Sequence, residues 1–363
     1  MKFTTIFLQT KNEHLTKDIG AIPFFLKKEF GYDSEIVTYN NDEYKNHEGP
    51  LKSLRLRFIP RSVLGQVFDG LLFLKSNAKK IDVLNLYHLS IKTALWAYVY
   101  KRLNSNGILY LKTDASFLSV EKIEKSFIRK KIIAKLIDLS NITSVESTPV
   151  LERLKKNIDR EYVLIPNGFF DIETRKAPNK KKIILFVGRV DAPEKNVELL
   201  IKAFLNTNIY KEWELRIVGP YSESFRETVF GFMSSRTEAK EHVILCGPIY
   251  DRSELDKLYD SASVFVLPSK YESYGIVLVE ALKSGCYLIG SENVPPFREI
   301  TKNFKYGESV DIYDIDSFSN VLEVACNNHL NDNERVNEQI KYAIEKYSWS
   351  SIVRKLDELI KAC

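Results

Sequence analysis

The sequence predicts an α/β protein with two doubly wound parallel sheets, and three observations support this fold class. The chain has 363 residues, which suggests two domains of roughly 100–200 residues each. Apolar runs rich in β-branched residues alternate with helical periodicity along the chain, and this alternation occurs twice. Several of the runs are continuously hydrophobic, as is typical of parallel strands that are buried on both faces.

Predicted strands and helices follow one another through both halves. Strands are predicted at residues 4–9, 34–39, 81–87, 108–113, 142–147, 162–168, 182–190, 215–220, 242–248, 263–269 and 286–291. Helices between them include residues 196–204, 253–261 and 275–284, and the chain is predicted to end in helices without strands. The polar segment 171–181 is predicted to link a first domain (1–170) to a second domain (182–348). Because ligands bind beyond the carboxyl ends of such strands, we expect a site in the cleft between two Rossmann-like domains.

Composition excludes several classes of protein. The hydrophobic fraction of 44% is sufficient for packed cores and argues against disorder. Cys246, Cys286, Cys326 and Cys363 are far apart in sequence and form no CxxC pair, so we expect reduced thiols in a cytosolic protein and no zinc site. The N-terminal apolar run is too short for a signal peptide, and no run approaches the ~18 residues that cross a bilayer. We therefore expect a soluble or peripheral protein in the cytoplasm.

Two glutamates stand in the mostly apolar run YESYGIVLVEALKSG. Glu272 precedes the predicted helix, and Glu280 lies inside it, four residues after Ile276 and on the same face. The amides of Gly275–Val277 form the helix N-terminus, which favours a phosphate, and glycine allows a close approach. The spacing predicts that both carboxylates accept hydrogen bonds from hydroxyl groups of one ligand. A solvated Glu272 and a helix-surface Glu280 are equally compatible with the spacing.

Two cations stand at another strand end. In FVGRVDAPEKNVELL, Arg189 follows a predicted strand and Lys195 begins the next helix. The guanidinium fork and the ammonium point charge together suit a diphosphate. Two ordinary surface cations are the alternative.

Together these motifs resemble a known family. VGRV-x4-EKN, PNG at Pro166–Gly168 and LPSKYESYG-x4-E-ALKSG, in this order and with the Glu-x7-Glu spacing, resemble the large retaining family of glycosyltransferases with the GT-B fold, often called family 4. The closing segment KYSWSSIVRKLDELI is similar to the terminal helix that, in this family, returns to the N-terminal domain; here that helix corresponds to about 349–363. The resemblance covers the second half by specific motifs and the first half by topology and a few short matches.

The resemblance implies a role for each motif. Arg189 and Lys195 hold the diphosphate of a nucleotide-sugar, Glu280 binds the ribose and Glu272 binds the transferred sugar. The implied donor-binding residues are Gly20, Arg189, Lys195, Ile249, Tyr250, Glu272, Tyr274, Gly275, Ile276, Val277 and Glu280. Of these, Arg189, Lys195 and Glu272 are also implied in catalysis, with fixed positive charge stabilising the leaving group in place of a metal or other cofactor.

The first half departs from the family pattern. Gly20 occupies the place of a glycine loop near the donor phosphates, although an ordinary turn fits equally well. The stretch ILYLKTDAS has Asp114 where family members often carry a histidine, and His88 ends an earlier strand. We predict that Asp114 holds or deprotonates an acceptor hydroxyl or steadies positive charge at the reacting sugar, with a helix-capping aspartate as the alternative.

Positive charge is concentrated in the first half. Residues 1–170 contain 27 Lys and Arg against 18 Asp and Glu, whereas the remainder contains 26 against 30. Segment 120–140 is predicted to be one helix with an apolar stripe surrounded by lysines, and Lys52, Arg55, Arg57 and Arg61 form a second basic group. Contact with an anionic membrane on the cytoplasmic side would explain both features, and solvated basic surfaces are the alternative.

The function expected from these features is retaining, metal-independent transfer of a sugar, from a UDP-sugar in preference to a GDP-sugar, to a saccharide or lipid-linked acceptor in bacterial surface glycan assembly. The alternatives are a catalytically silent subunit that binds a nucleotide-sugar and an epimerase on the same fold. A dinucleotide oxidoreductase is disfavoured because no GxGxxG follows an early strand. We expect no nucleic-acid partner.

Overall fold

The computed structural model describes residues 1–49, 51–170, 178–234, 237–330 and 332–363. The chain divides into two compact units, Met1–Ile172 with Lys346–Cys363, and Glu173–Glu345. Each unit contains a parallel sheet with helices between its strands, as the sequence predicted. Most of the predicted linker 171–181 lies outside the described residues, and its last residue, Lys181, begins a strand.

The strands are β1 Lys2–Ile6, β2 Asp33–Thr38, β3 Arg55–Phe58, β4 Val83–Tyr87, β5 Ile108–Lys112, β6 Ile142–Val145, β7 Val163–Leu164, β8 Lys181–Val187, β9 Glu214–Val218, β10 Val243–Gly247, β11 Ala262–Leu267, β12 Tyr287–Ser291 and β13 Gly307–Val310. The helices are α1 Asn12–Leu15, α2 Asp18–Phe30, α3 Lys45–Glu48, α4 Gly65–Asn77, α5 Ile91–Leu103, α6 Phe117–Glu124, α7 Phe127–Leu139, α8 Thr148–Asn157, α9 Val197–Leu205, α10 Glu223–Phe232, α11 Arg252–Ser261, α12 Ile276–Lys283, α13 Phe297–Ile300, α14 Ile315–His329, α15 Asn333–Tyr347 and α16 Trp349–Lys361.

Within the described residues, the sheet of the first unit has the strand order β3-β2-β1-β4-β5-β6-β7, and the sheet of the second has β10-β9-β8-β11-β12-β13. Every pairing between these strands is parallel. The strand order reverses beside β1 in one sheet and beside β8 in the other. In doubly wound sheets a ligand binds at such a reversal, beyond the carboxyl ends of the strands. The predicted fold class is therefore confirmed.

Two strands were not predicted, and both lie at sheet edges. β3 has the sequence RLRF, and β13 has the sequence GESV. Charged and small residues are frequent on edge strands, where they discourage pairing with other chains. Neither segment has the continuous apolar run on which the strand predictions depended. The strand prediction therefore missed β13, whereas the described chain after β13 contains helices alone, as predicted.

The predicted helix 120–140 is two helices. α6 ends before Lys125, and α7 begins after Ser126, whose hydroxyl accepts a hydrogen bond from the Arg129 amide. On α7, Ile133 and Leu136 are buried in the core of the first unit. Ile133 and Leu136 of the predicted stripe therefore face the core, whereas Phe127 and Ile128 in the first turn of α7 are exposed.

The C-terminal helix belongs to the core of the first unit. Helix α16 packs against α2, and the buried face of α16 carries Trp349, Val353 and Leu356. Tyr32 donates a hydrogen bond to Asp357 Oδ1 at 2.8 Å, which adds a buried polar contact to this interface. Among the described residues, no helix has the length and hydrophobicity needed to cross a bilayer.

Two glycines allow the backbone after β8 and the backbone after β9 to approach each other closely at the carboxyl edge of the second sheet. Gly188 follows β8, and Gly219 follows β9 with φ of +140°. A Cβ atom at Gly219 would lie 1.7 Å from the carbonyl oxygen of Gly188, which is a backbone atom that no rotamer change can move. Only glycine fits at Gly219, and this close approach fixes the segment that leads into Arg189 and Lys195.

Candidate active site

Lys195 and Glu272 meet at the carboxyl edge of the second sheet. Lys195 ends the 3-10 turn Pro193–Lys195 after β8, and Glu272 lies in the loop after the neighbouring strand β11. The Lys195 ammonium donates a hydrogen bond to the Glu272 carboxylate, which also accepts one from Ser269 Oγ at 3.0 Å. Only 15% of the Lys195 side chain and 13% of the Glu272 side chain are exposed. The sequence predicted both residues in the site but did not predict their direct contact.

Glu280 is held by two residues of α11 that sequence reasoning missed. Arg252 Nη1 donates to Glu280 Oε1 at 2.6 Å, and the Tyr259 hydroxyl donates to Glu280 Oε2 at 3.1 Å. Arg252 also pairs with Asp256 at 3.1 Å, and Lys283 pairs with Asp256 at 3.4 Å. The spacing of Arg252, Asp256 and Tyr259 at i, i+4 and i+7 places them on one helix face, which is the signal that could have found them.

Each of the two carboxylates is therefore paired with a cation, Glu272 with Lys195 and Glu280 with Arg252. Only 14% of the Glu280 side chain is exposed, which is close to the value for Glu272. The alternative of a solvated Glu272 and a helix-surface Glu280 is wrong. On binding of a polar ligand, the two largely buried carboxylates can accept hydrogen bonds from its hydroxyl groups, while the ammonium and the guanidinium can pair with its phosphate groups.

Helix α12 begins between these two carboxylates. Its N-cap is Gly275, which has the left-handed backbone conformation φ 80°, ψ 58°. A Cβ atom there would lie 3.2 Å from Leu267 Cδ2 and from Leu278 Cδ1, so a side chain would meet both strain and crowding. The first helical residues are Ile276 and Val277, whose amides belong to the orphan donors of a helix N-terminus. The start of the helix is one residue later than predicted.

Arg189 forms an ion pair that the sequence did not predict. The Arg189 guanidinium donates to the Glu194 carboxylate in the next turn, and 69% of the Arg189 side chain is exposed. The sequence predicted Arg189 and Lys195 as joint ligands of one diphosphate, but the structure pairs each cation with a different glutamate. A Cβ atom on Gly188 would lie 3.9 Å from Lys195 Cε, so Lys195 passes close to the strand end.

The other predicted donor-binding residues of this unit lie in loops. Ile249 and Tyr250 follow β10, and the Tyr250 ring is largely exposed. Tyr274, in contrast, is buried beside the start of α12. An exposed ring after a strand end can stack on a base, whereas a buried ring contributes to packing.

A buried charge cluster lies at the carboxyl edge of the first sheet, and sequence reasoning missed it. Lys112, at the end of β5, is completely buried; its Nζ lies 2.9 Å from Glu146 Oε1 and 3.9 Å from Asp18 Oδ2. Burial raises the pKa of Asp18 to about 7, against the lowering effect of Lys112. Burial alone would lower the pKa of Lys112, but Glu146 and Asp18 outweigh it and raise that pKa above its usual value. The lysine in the apolar run ILYLK is the sequence feature that could have indicated this buried cluster, because lysine is almost never fully buried unless it is paired.

Asp114 and His88 lie beside this cluster. Asp114 follows β5 and His88 follows the neighbouring strand β4, and the two side chains approach to 3.6 Å between Nδ1 and Oδ2. Both residues have positive φ, 42° for Asp114 and 69° for His88. Burial lowers the pKa of His88, and Asp114 opposes this effect. The sequence placed His88 on a different strand from Asp114, and only the parallel pairing of β4 with β5 brings them together.

Gly20 does not lie in a loop. It is the third residue of α2, and a Cβ atom there would lie 2.1 Å from the carbonyl oxygen of Leu15. Its small size allows α2 to pack against the end of α1. Gly20 therefore lies in neither a loop nor an ordinary turn, and its role in donor binding stays a prediction. In the part of the chain that the structure describes, no group of three His, Cys, Asp or Glu could hold a metal ion.

Comparison with known proteins connects the geometry of the second unit to a family. Residues 169–346 match the family of glycosyl transferases group 1. The second unit is thus similar over its whole length to the group 1 glycosyltransferase family. The residues at its carboxyl edge, with paired Lys195 and Glu272 and with Glu280 on α12, form the candidate active site of this unit.

Relatives and solved structures extend this comparison. The chain is 29% identical over 212 residues to a probable sucrose-phosphate synthase of Thermosipho melanesiensis, covering 56% of this chain and 48% of the relative. It is 27% identical over 202 residues to a phosphatidyl-myo-inositol mannosyltransferase of Mycobacterium leprae, covering 53% of this chain and 52% of the relative. The chain thus spans about half the length of these curated relatives.

The fold of the whole chain is also found in solved structures. The crystal structure of the Anabaena protein HepE in complex with UDP is similar to this chain with a TM-score of 0.78, at 13% identity and covering 100% of both chains. At this identity the likeness shows the fold alone, which is the GT-B fold of two Rossmann-like units.

Proposed function

We propose that the protein is a retaining glycosyltransferase that transfers a sugar from a nucleotide-sugar to a saccharide or lipid-linked acceptor. The observation that carries the proposal is the arrangement of Lys195 with Glu272, and of Arg252 with Glu280, on either side of the N-terminus of α12 in a unit similar to the group 1 family. This arrangement offers cations, amides and carboxylates over a short span, as a ligand with phosphates and hydroxyls requires.

Binding of the donor exchanges one partner of Lys195 for another. The ammonium leaves Glu272 and neutralises the donor diphosphate, while the freed Glu272 carboxylate accepts hydrogen bonds from the sugar hydroxyls. The amides at the start of α12 bind the distal phosphate, and Glu280 accepts hydrogen bonds from the ribose. Arg252 and Tyr259 hold Glu280 in place for this contact.

The transfer step breaks the bond between the anomeric carbon and the donor phosphate and forms a bond from that carbon to the acceptor oxygen. The nucleoside diphosphate leaves with the bonding electron pair, and the acceptor proton passes to the departing phosphate on the same face of the sugar. Fixed positive charge from Lys195 and the α12 amides stabilises the leaving group, so we propose that no metal is required. If the rate of nucleotide release is unchanged in excess EDTA, the result supports this proposal. If EDTA abolishes nucleotide release and added Mg²⁺ restores it, the result contradicts the proposal.

UDP is the proposed donor nucleotide. The match to a protein solved in complex with UDP supports this choice, and the exposed Tyr250 ring in the loop after β10 offers a surface for the base. Calorimetric titration of UDP and GDP without metal tests it. We expect binding of UDP, and roughly tenfold weaker binding in Arg189→Ala, because we propose that Arg189 exchanges Glu194 for a charged hydrogen bond to the donor phosphate.

Arg160→Ala is the matched control for this titration. Arg160 forms a similarly exposed ion pair, with Asp138 in the first unit, and its loss should leave UDP affinity unchanged. Stronger binding of GDP would change the proposed donor. Absence of binding for both nucleotides would contradict the proposed donor site.

The proposed acceptor pathway is bacterial surface glycan assembly at the inner face of the cytoplasmic membrane. The match to an enzyme named for a phosphatidylinositol acceptor supports a lipid-linked substrate. The excess of basic residues in the first half and the exposed Phe127 and Ile128 in the first turn of α7 support peripheral contact with anionic lipid.

Sedimentation with vesicles tests this contact. At low salt we expect the protein to sediment with phosphatidylglycerol-containing vesicles and to be released at about 0.5 M salt, since salt screens surface charges. Phe127→Ser with Ile128→Ser should reduce the bound fraction several-fold. Phe230→Ser, an exposed phenylalanine on α10 of the second unit, is the control and should have no effect. Equal sedimentation of all these proteins would contradict the assignment to α7.

A further inference from the structure

The starting observation is a completely buried cation at the carboxyl edge of the first sheet. A buried ammonium is strongly destabilising unless carboxylates compensate its charge. Glu146 contacts Lys112 at 2.9 Å, and Asp18 lies 3.9 Å away on a different element. The three residues come from the end of β5, from the residue after β6 and from the start of α2. Such convergence at the ligand-binding edge of a sheet requires an explanation beyond packing.

The Glu146 carboxylate also holds the loop between β5 and α6. Its Oε1 accepts a hydrogen bond from the Asp114 amide at 3.0 Å, and its Oε2 accepts from the Ala115 amide at 3.2 Å and from Thr113 Oγ1 at 3.4 Å. Asp114 has a left-handed backbone, a strained conformation that persists only when neighbouring contacts enforce it. Lys112 holds the carboxylate, and the carboxylate holds the loop.

The side chains of His88 and Asp114, next to the buried Lys112–Glu146 pair, are partly exposed to solvent. The exposed fractions of the His88 and Asp114 side chains are 46% and 43%, so both can reach a ligand. The Phe7 ring lies 5.7 Å from His88 and 5.7 Å from Tyr87, forming an aromatic group at the same edge. The hydroxyl of Tyr87 is buried without a hydrogen-bond partner among the residues that the structure describes. Carboxylate, imidazole and aromatic groups together suit a saccharide, whose hydroxyls need acceptors and whose C–H faces pack on rings.

We propose that the buried Lys112–Glu146 pair positions Asp114 beside His88, and that Asp114 and His88 bind a hydroxyl group of the acceptor saccharide. Lys112 and Glu146 are positioning residues in this assignment, because they act through the loop and do not touch the acceptor. The inference rests on the proposed function, since it names the acceptor residues of the same reaction. It concerns the first unit alone, whereas the residues to which the proposed function assigns the donor lie in the second.

The test measures saccharide contact and nucleotide affinity on the same samples. The probe is a mixture of methyl glucoside, methyl galactoside and methyl mannoside, observed by saturation-transfer NMR in the presence of UDP. We expect saturation of at least one glycoside by the wild type and loss of that signal in Asp114→Asn and His88→Ala. In Glu146→Gln, glycoside affinity should fall roughly tenfold, because the loop loses a charged acceptor. UDP affinity should be unchanged in all three.

Stability effects are separated by two further variants. Lys112→Met leaves Glu146 buried without its cation and is expected to unfold at lower temperature, so Lys112→Met with Glu146→Gln removes both charges together. The double variant should regain thermal stability without regaining glycoside affinity. Glu35→Gln is the matched control: Glu35 is a buried carboxylate in the same sheet, paired with Lys2 at 3.2 Å. It should lower stability and leave the glycoside signal intact.

The outcomes separate this inference from the proposed function. Unchanged glycoside saturation in Asp114→Asn and Glu146→Gln, or no saturation by a wild type that binds UDP, would overturn the acceptor assignment alone. A wild type that binds glycosides but neither UDP nor GDP would overturn the proposed donor site and leave the assignment standing. If Glu35→Gln lost as much glycoside saturation as Glu146→Gln, the loss would reflect general destabilisation of the sheet. That result would overturn the positioning role of Lys112 and Glu146.

Discussion

Lys195→Met is expected to reduce release of UDP from a UDP-sugar by roughly 10²–10³-fold, which is the typical cost of losing one group that stabilises charge in the transition state. The Lys195 ammonium is largely buried and directly contacts Glu272. A charge held in such a place acts on the departing diphosphate with little screening by water. The measurement is the rate of UDP formation at saturating donor, compared with the wild type.

The same ion pair predicts a separable effect on stability. Lys195→Met leaves the Glu272 carboxylate mostly buried without its cation, and this should lower the free energy of unfolding by about 1–3 kcal/mol. Lys195→Met with Glu272→Gln removes both charges, so stability should recover while UDP release remains lost. Lys257→Met, which removes an exposed lysine from α11, should match the wild type in both measurements. Full activity in both Lys195→Met and Glu272→Gln would refute the site assignment.

Gly219→Ala is expected to have the largest effect on stability, lowering the free energy of unfolding by more than about 4 kcal/mol. Two causes combine. The backbone of Gly219 has φ of +140°, which L side chains rarely adopt, and the new Cβ would lie 1.7 Å from the carbonyl oxygen of Gly188. Because that oxygen belongs to the backbone after β8, relief requires separation of β8 from β9. Chemical denaturation followed by circular dichroism measures the change.

Gly231→Ala is the matched control for this substitution. Gly231 lies in α10 of the same unit, and a Cβ atom there meets nothing within 4 Å. Alanine is the better helix former, so this variant should be more stable by about 0.5–1 kcal/mol. If Gly219→Ala unfolded at the same denaturant concentration as the wild type, the close approach of the two strand ends would not be a requirement of the fold.

Much of the fold and of the candidate site was available in the sequence. The alternation of apolar strands with helical periodicity predicted both parallel sheets, because buried parallel strands must be apolar on both faces. The spacing from Glu272 through Gly275 to Glu280 predicted two acids around a helix start, because these positions are local in sequence. The edge strands β3 and β13 were missed because the strand predictions depended on continuous apolar runs, whereas these strands have the sequences RLRF and GESV, whose charged and small residues are tolerated at a sheet edge.

By itself, the sequence determined which side chains stand at strand ends and helix starts, since these depend on local periodicity, glycine and proline. Only the tertiary structure decided how those side chains pair. Lys195 is 77 residues from Glu272, Arg252 is 28 residues from Glu280, and Lys112 is 34 residues from Glu146. Arg189, expected beside Lys195, has its own partner in Glu194. The physical reason is that a charge loses hydration wherever packing buries it, and its partner is then whichever opposite charge the strand order brings within reach.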